Sequence, residues 1–86
     1  MASYEVVWKG SAEKELRKLP REAIRRLIDL ATTLATDPYP QGTRKLAGTD
    51  RTWRVRSGNY RLVYTVEDQQ LIVQVIRVGH RREVYR

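Results

Sequence analysis

The spacing of apolar residues in the first half of the chain predicts one short strand followed by two helices. Residues 4–8 combine aromatic and β-branched side chains, which are typical of a strand. A first helix is expected to open at Gly10-Ser11, and Pro20 is expected to be the first residue of a second helix, which ends at Asp37-Pro38. The apolar positions that recur at helical spacing form one stripe on each helix: Ala12, Leu16 and Leu19, and then Ile24, Leu27, Ile28, Ala31, Leu34 and Ala35.

The second half of the chain predicts a loop and then strands. Residues 37–45 hold two prolines and a glycine, and therefore predict one long loop. Residues 71–78, which follow a turn at Asp68-Gln69-Gln70, are apolar at nearly every position, as is typical of a central strand covered on both faces. Three strands are expected after the loop, at about 52–57, 60–67 and 71–78.

The order of these elements, β-α-α-β-β-β, defines the expected fold. It predicts a single small domain of the α/β (α+β) class over residues 1–86, in which a hairpin of two helices packs on a sheet.

The first two strands of the second half predict a hairpin with arginines on one face. Because side chains alternate along a strand, Arg54 and Arg56 share one face, while Trp53 and Val55 share the other. A two-residue turn at Gly58-Asn59 sets the register: Ser57 opposite Tyr60, Arg56 opposite Arg61, Val55 opposite Leu62 and Trp53 opposite Tyr64.

Two interpretations of this arginine face remain open. Like charges directly opposite one another destabilise a sheet, and guanidinium groups match the geometry of phosphate. The face is therefore either a phosphate site or a solvated polar surface without a ligand.

The charge of the chain favours a polyanionic partner. Residues 1–43 hold seven Lys/Arg against six Asp/Glu, whereas residues 44–86 hold ten against four, and nine of those ten are arginine. A basic half of this kind favours nucleic acid first, an acidic protein segment second and an anionic membrane surface third.

Composition also narrows the classes of site and location. The chain has no cysteine and one histidine, so disulfides and thiolate metal sites are excluded, and neither a zinc site nor a cofactor is expected. No serine, histidine and carboxylate set suggests acyl transfer, and no glycine-rich nucleotide loop is present. The N-terminus lacks the pattern of a signal peptide, and no apolar run approaches the roughly 20 residues of a membrane span. A soluble, cytoplasmic protein is expected.

The C-terminal segment carries the only groups suited to proton chemistry near neutral pH. His80 is the sole residue whose ordinary pKa is near 6.5, although a lone histidine can equally be structural. Tyr85 could donate a proton, stack on a base or pack on the sheet. Arg81 and Arg82 are adjacent and therefore point in different directions.

Six segments, in this order and at this spacing, resemble the RelE/ParE superfamily of toxins from bacterial and archaeal toxin–antitoxin pairs. The resemblance covers nearly the whole chain. The segments are residues 11–20 (SAEKELRKLP), Asp37-Pro38, Lys45-Leu46 with Gly48, Trp53-Arg54-Val55-Arg56, Tyr60-Arg61-Leu62-Val63-Tyr64, and Val78-Gly79-His80-Arg81 with Val84-Tyr85.

This resemblance implies a fold, an activity and partners. The fold would be two helices on a twisted, mainly antiparallel sheet. The activity would be that of a ribosome-dependent endoribonuclease, which cuts mRNA in the A site of a 70S-type ribosome and so inhibits translation. The ribose 2′-hydroxyl would attack the adjacent phosphodiester without a metal or cofactor. The partner would be a cognate acidic antitoxin.

The resemblance also implies roles for individual residues. Arg61 and Arg81 match arginines that hold the scissile phosphate, and Tyr85 matches a tyrosine that stacks on or orients the base. Arg54 and Arg56 lie where well-known RelE enzymes carry lysines, one of them the base. An arginine stays protonated and cannot be an ordinary base, so His80 is the remaining candidate for proton transfer. The residues expected to bind RNA around this set are Arg44, Lys45, Arg51, Arg82 and Arg86.

Two alternatives to nuclease activity remain. A ParE-like toxin would have the same fold and inhibit DNA gyrase without nuclease activity. A relative weakened in catalysis would bind RNA without cutting it.

Overall fold

A computed structural model describes residues 3–49 and 51–80 of the chain. It contains two helices and a five-stranded sheet with the strand order β1-β5-β4-β3-β2. Strand β1 runs parallel to β5, and the other neighbours are antiparallel. The predicted two-helix hairpin on a mainly antiparallel sheet is therefore confirmed. The elements are β1 (Glu5–Trp8), α1 (Gly10–Arg17), α2 (Arg21–Thr33), β2 (Arg44–Lys45), β3 (Thr52–Ser57), β4 (Tyr60–Glu67) and β5 (Ile72–His80).

The helices are shorter than the apolar pattern predicts. Pro20 precedes α2 as its N-cap, where its carbonyl accepts a hydrogen bond from Ile24 N at 3.0 Å. The α-helix ends at Thr33, and the backbone continues to Asp37 in tighter turns in which Leu34, Ala35 and Thr36 each bond to the third residue before them. The prediction that α2 extends to Asp37 was thus wrong by one turn, because periodicity does not distinguish an α-helical turn from a 3₁₀ turn.

Strand β2 lies inside the segment predicted to be a loop. Arg44 pairs with Arg54 and Lys45 with Trp53, and Leu46 N donates to Thr52 O at 2.9 Å. Two residues are too few to produce an alternating pattern in the sequence. The loop prediction was wrong here because the edge of β3 provides the hydrogen-bonding partner.

The predicted register of the β3–β4 hairpin is confirmed at every pair, including Arg56 opposite Arg61. Gly58 has a φ of 61°, whereas Leu71 is the single non-glycine residue with a positive φ among the described residues. The first turn residue therefore has a positive φ and Asn59 does not, which corresponds to a type II′ turn.

The core lies between the helices and one face of the sheet. Strand β5 is an interior strand, although the middle strand is β4. The prediction that β5 is covered on both faces was wrong, because the helices cover one face and Gln74 is exposed on the other. No helix in residues 3–49 and 51–80 is long and apolar enough to cross a membrane. The side chains buried in the core come from both helices and from β3, β4 and β5: Ala12, Leu16, Leu27, Ala31, Leu34, Val55, Leu62, Tyr64, Val66, Val73, Val75 and Val78.

Candidate functional site

The face of the sheet opposite the helices carries two rows of arginines. Since Val55 and Leu62 point into the core, their neighbours Arg54, Arg56 and Arg61 point to the other face. One row runs across four strands in register, as Arg44, Arg54, Val63 and Arg77. The next row, two residues along β3, contains Arg56, Arg61 and Gly79.

Four of these arginines line one cavity of about 250 Å³, which we call the arginine cavity. Arg54 and Arg61 are half-buried, and the Nε atom of Arg61 is buried, while Arg44 and Arg56 are exposed. No carboxylate is among the described residues of its wall. The wall consists of Gly42, Arg44, Arg54, Val55, Arg56 and Arg61.

The cavity concentrates positive charge at short range. Arg44 lies directly opposite Arg54, and Arg56 lies directly opposite Arg61. Two like-charged cross-strand pairs side by side oppose sheet formation, and an anion between the guanidinium groups removes that repulsion. The geometry is therefore suited to a phosphate, because guanidinium groups held on paired strands match its shape and charge.

Arg77 in the first row is held by a carboxylate of α1. Its Nη2 lies 3.5 Å from Glu15 Oε2, and Glu15 Oε1 accepts a hydrogen bond from Val78 N at 3.1 Å. Strand β1 ends opposite Val75, so Glu15 takes the place of a strand partner for the next part of β5. The sequence had not marked Glu15, because its interactions are made with residues more than 60 positions away.

The loop that carries Gly42 is attached to the sheet by tyrosines. The buried Tyr64 donates to Pro38 O at 2.7 Å, and Tyr39 donates to both carboxylate oxygens of Asp68 at 3.1 and 3.0 Å. Burial raises the pKa of the Tyr64 hydroxyl. Burial and the hydrogen bond to Asp68 raise the pKa of Tyr39 to about 12. These contacts hold residues 38–43 against the sheet beside the cavity.

Two of the residues predicted to bind RNA lie away from the arginine cavity. Lys45 pairs with Trp53 on the helix side of the sheet, and its Nζ is 5.9 Å from the centre of the Trp53 ring. Arg51 forms an ion pair with Glu67. Of the predicted RNA contacts before β3, the structure thus brings only Arg44 to the arginines of β3 and β4.

His80 also lies on the other side of the sheet from the arginine cavity. It pairs in register with Tyr60, and their rings meet edge to face with centres 5.8 Å apart. Tyr60 packs against the core, so strand alternation directs His80 to the helix side, whereas Gly79 is the residue opposite Arg61. The structure does not bring His80 together with Arg54, Arg56 and Arg61. Its role in proton transfer stays a prediction.

The remaining predicted site residues, Arg81, Arg82, Tyr85 and Arg86, lie outside the described residues. Gly42 was not singled out from the sequence, yet it forms part of the cavity wall with a φ of 91°. A glycine two residues before a basic strand was the only signal available for it.

Comparison with known proteins agrees with this architecture. The family model described as ParE toxin of the type II toxin–antitoxin system parDE matches residues 6–85. Toxin RelG of Mycobacterium tuberculosis is 34% identical over 87 residues, covering 96% of this chain and 97% of the relative.

Solved structures of toxin–antitoxin complexes have the same fold. The RelBE2 complex of M. tuberculosis superposes with a TM-score of 0.82 at 28% identity, covering 92% of this chain and 99% of that one. The intact RelBE complex of E. coli superposes with a TM-score of 0.76 at 33% identity, covering 90% of this chain and 95% of that one. The chain therefore belongs to the RelE/ParE superfamily of toxins of type II toxin–antitoxin systems, within its RelE family.

Proposed function

We propose that this toxin is a ribosome-dependent endoribonuclease that cleaves mRNA in the ribosomal A site. The observation that carries the proposal is the arginine cavity, in which two cross-strand arginine pairs face one concave surface. Such a cavity is suited to the phosphodiester of an RNA strand and to the additional charge that develops there during cleavage.

The chemistry would proceed by attack of the 2′-hydroxyl on the neighbouring phosphorus. The 2′-oxygen–phosphorus bond forms, the phosphorus–5′-oxygen bond breaks, and the products are a 2′,3′-cyclic phosphate and a 5′-hydroxyl. A proton leaves the 2′-oxygen and a proton is added to the 5′-oxygen, so no oxidant or further reactant is consumed. The phosphorane between these steps carries an extra negative charge, and fixed guanidinium groups stabilise it more than they stabilise the substrate.

Two of the cavity arginines have a defined part in this proposal. Arg61 and Arg56 hold the scissile phosphate, and Arg61 is the better fixed because its Nε is buried. The permanent charge of arginine suits this electrostatic role and excludes a role as the base. Proton transfer is assigned to the C-terminal part of the chain, to Tyr85 before His80, because His80 lies on the other side of the sheet from the arginine cavity.

The proposed partner is a cognate antitoxin. The relatives in the M. tuberculosis and E. coli structures are complexes of a toxin with an antitoxin. An acidic antitoxin segment over the arginine cavity would compete with RNA for the same guanidinium groups.

A translating-ribosome reaction tests the proposal. The purified toxin is added to a reaction with a defined mRNA, new RNA ends are mapped by primer extension, and the same mRNA without ribosomes is the control. We expect new ends within codons in the A site, and only when ribosomes are present. Intact mRNA at toxin concentrations that arrest growth would contradict the proposal.

Gyrase inhibition is the second candidate, since the matching family model is that of ParE toxins. A DNA supercoiling reaction with purified gyrase separates the two. We expect no loss of supercoiling at the concentrations that cleave mRNA.

A further inference from the structure

We propose that the arginine cavity binds two successive phosphates of one polynucleotide strand, the scissile phosphate at Arg56 and Arg61 and its neighbour at Arg44 and Arg54. This inference rests on the proposed nuclease function and specifies how its site recognises the substrate. For Arg44, which the sequence marks only as a general RNA contact, it specifies the group that is bound: the phosphate next to the scissile one.

The register of the strands sets the distance between the two phosphate positions. Arg54 and Arg56 are two residues apart on β3 and point to the same face, which separates them by about 6.8 Å along the strand. Arg44 lies opposite the first and Arg61 opposite the second. The two arginine pairs are therefore spaced similarly to successive phosphates on a single strand.

The charges of the cavity also exceed what one phosphate requires. Two guanidinium groups suffice to neutralise the charge of a single phosphodiester and of its transition state, whereas four arginines line this wall. The cavity volume of about 250 Å³ is larger than a single phosphate group needs.

The main chain has a donor at the edge of the sheet beside the Arg56–Arg61 pair. The pair Ser57–Tyr60 closes a two-residue turn and is of the hydrogen-bonded type, so the next pair, Arg56–Arg61, is of the non-hydrogen-bonded type. The N–H of Arg56 therefore points away from β4, toward β2, whose last pair with β3 in this direction is Arg44–Arg54.

The two positions have different consequences for the reaction. The scissile phosphate gains charge in the transition state, so Arg61 lowers the barrier to cleavage. The neighbouring phosphate keeps its charge throughout, so Arg44 and Arg54 stabilise substrate and transition state equally. Loss of Arg44 is therefore expected to raise KM and leave kcat nearly unchanged.

A binding cycle with an uncleavable probe tests the inference without cleavage. The probe is a thymidine trinucleotide, which has two phosphates and no 2′-hydroxyl, and the comparison probe has a neutral methylphosphonate at one of the two linkages. Affinities are measured by NMR titration for wild type, Arg44→Ala and Arg25→Ala. Arg25 is an exposed arginine of α2 on the other side of the sheet and controls for a simple loss of charge.

We expect a methylphosphonate at the linkage that occupies the Arg44 position to weaken the binding of wild type and of Arg25→Ala by about tenfold. The same change should weaken the binding of Arg44→Ala by less than twofold. Methylphosphonates at each linkage in turn identify which phosphate that is. An equal loss in wild type and in Arg44→Ala would overturn the inference, and so would the lack of saturable binding to wild type.

The ribosome reaction keeps this inference distinct from the proposed function. Suppose that wild type cleaves mRNA but the methylphosphonate weakens binding equally in wild type and in Arg44→Ala. The nuclease function would then be retained and the second phosphate position rejected. If instead the methylphosphonate weakens binding to wild type but not to Arg44→Ala, and wild type does not cleave mRNA, the two-phosphate site would be retained and the nuclease function rejected. In the active enzyme, a fall in kcat of more than tenfold on Arg44→Ala, with KM unchanged, would contradict the role assigned to Arg44.

Discussion

Arg61 is the arginine of the cavity whose position is most restricted. It lies on the middle strand β4, opposite Arg56 on one side and Gly79 on the other, with its Nε buried. A guanidinium held by its surroundings loses little freedom when it binds a phosphate, which suits a residue that stabilises a transition state.

We expect Arg61→Ala to abolish growth arrest while the fold survives, because the side chain lies on the face opposite the core. The measurement is growth after induction, with the amount of soluble protein and its thermal unfolding recorded in parallel. Arg25→Ala is the control and should arrest growth like wild type. Growth arrest by a soluble, folded Arg61→Ala variant would refute the assignment.

His80 is the residue for which the sequence and the structure point in different directions. If His80 were the proton-transfer group, its replacement by glutamine would lower the cleavage rate by about a hundredfold or more. Its ring contact with Tyr60 on the helix side of the sheet instead favours a packing role. We therefore expect His80→Gln to lower the single-turnover rate on ribosomes only a few-fold. A hundredfold loss in a variant of unchanged stability would return His80 to the catalytic set.

Ionisation of Tyr39 is expected to lower the stability of the folded protein at alkaline pH. Its pKa is raised to about 12 in the folded state, whereas an unfolded tyrosine ionises near pH 10. Because the folded state holds the proton more tightly, this contribution to stability is complete below about pH 10 and is lost as the pH rises toward about 12. We expect the urea midpoint of wild type to fall more steeply over this range than that of Tyr39→Phe. Parallel slopes for the two proteins would contradict the assignment.

The β3–β4 hairpin is the element on which the site depends most, because its turn sets Arg56 opposite Arg61. Gly58 supplies the positive φ of 61° that this turn requires, and a Cβ there would lie 2.9 Å from Arg26 Nη1. The Arg26 side chain can move, but the backbone strain would remain.

We therefore expect Gly58→Ala to reduce the free energy of unfolding by about 1–2 kcal/mol, measured by urea denaturation. Gly10→Ala is the matched control, because Gly10 begins α1 and nothing lies within 4 Å of the point that an alanine Cβ would occupy. It should be neutral or slightly stabilising, since alanine favours a helix. Equal effects of the two substitutions would show that the turn does not require glycine.

Across the complete chain, most of the net charge of +7 belongs to residues 44–86, which include the four cavity arginines. Binding of single-stranded nucleic acid to such a surface weakens as salt rises, with a slope in log–log form of about −0.7 for each phosphate contact.

We expect Arg44→Ala to reduce this slope by about 0.7 for a thymidine oligonucleotide, measured by fluorescence anisotropy over a series of salt concentrations. Arg25→Ala should change it much less, because its charge lies on the helix side. A slope that is the same for Arg44→Ala and wild type would mean that Arg44 makes no phosphate contact.

Local patterns in the sequence were sufficient for most of the fold. The period of two along residues 52–57 and 60–67, with a glycine between them, predicted the hairpin register and the common face of Arg54, Arg56 and Arg61. This worked because strand alternation and a two-residue turn are both local constraints, so no distant residue was needed to resolve them.

Only the tertiary structure decided the features that depend on distant partners. Strand β2 exists because the edge of β3 pairs with it, which brings Arg44 into the cavity and turns Lys45 away. The face occupied by His80 follows from its pairing with Tyr60, and Glu15 meets Arg77 only after α1 packs beside β5. Alternation within one strand states which residues share a face, but the core side of each strand and the neighbours across it are chosen by how the helices and strands pack together.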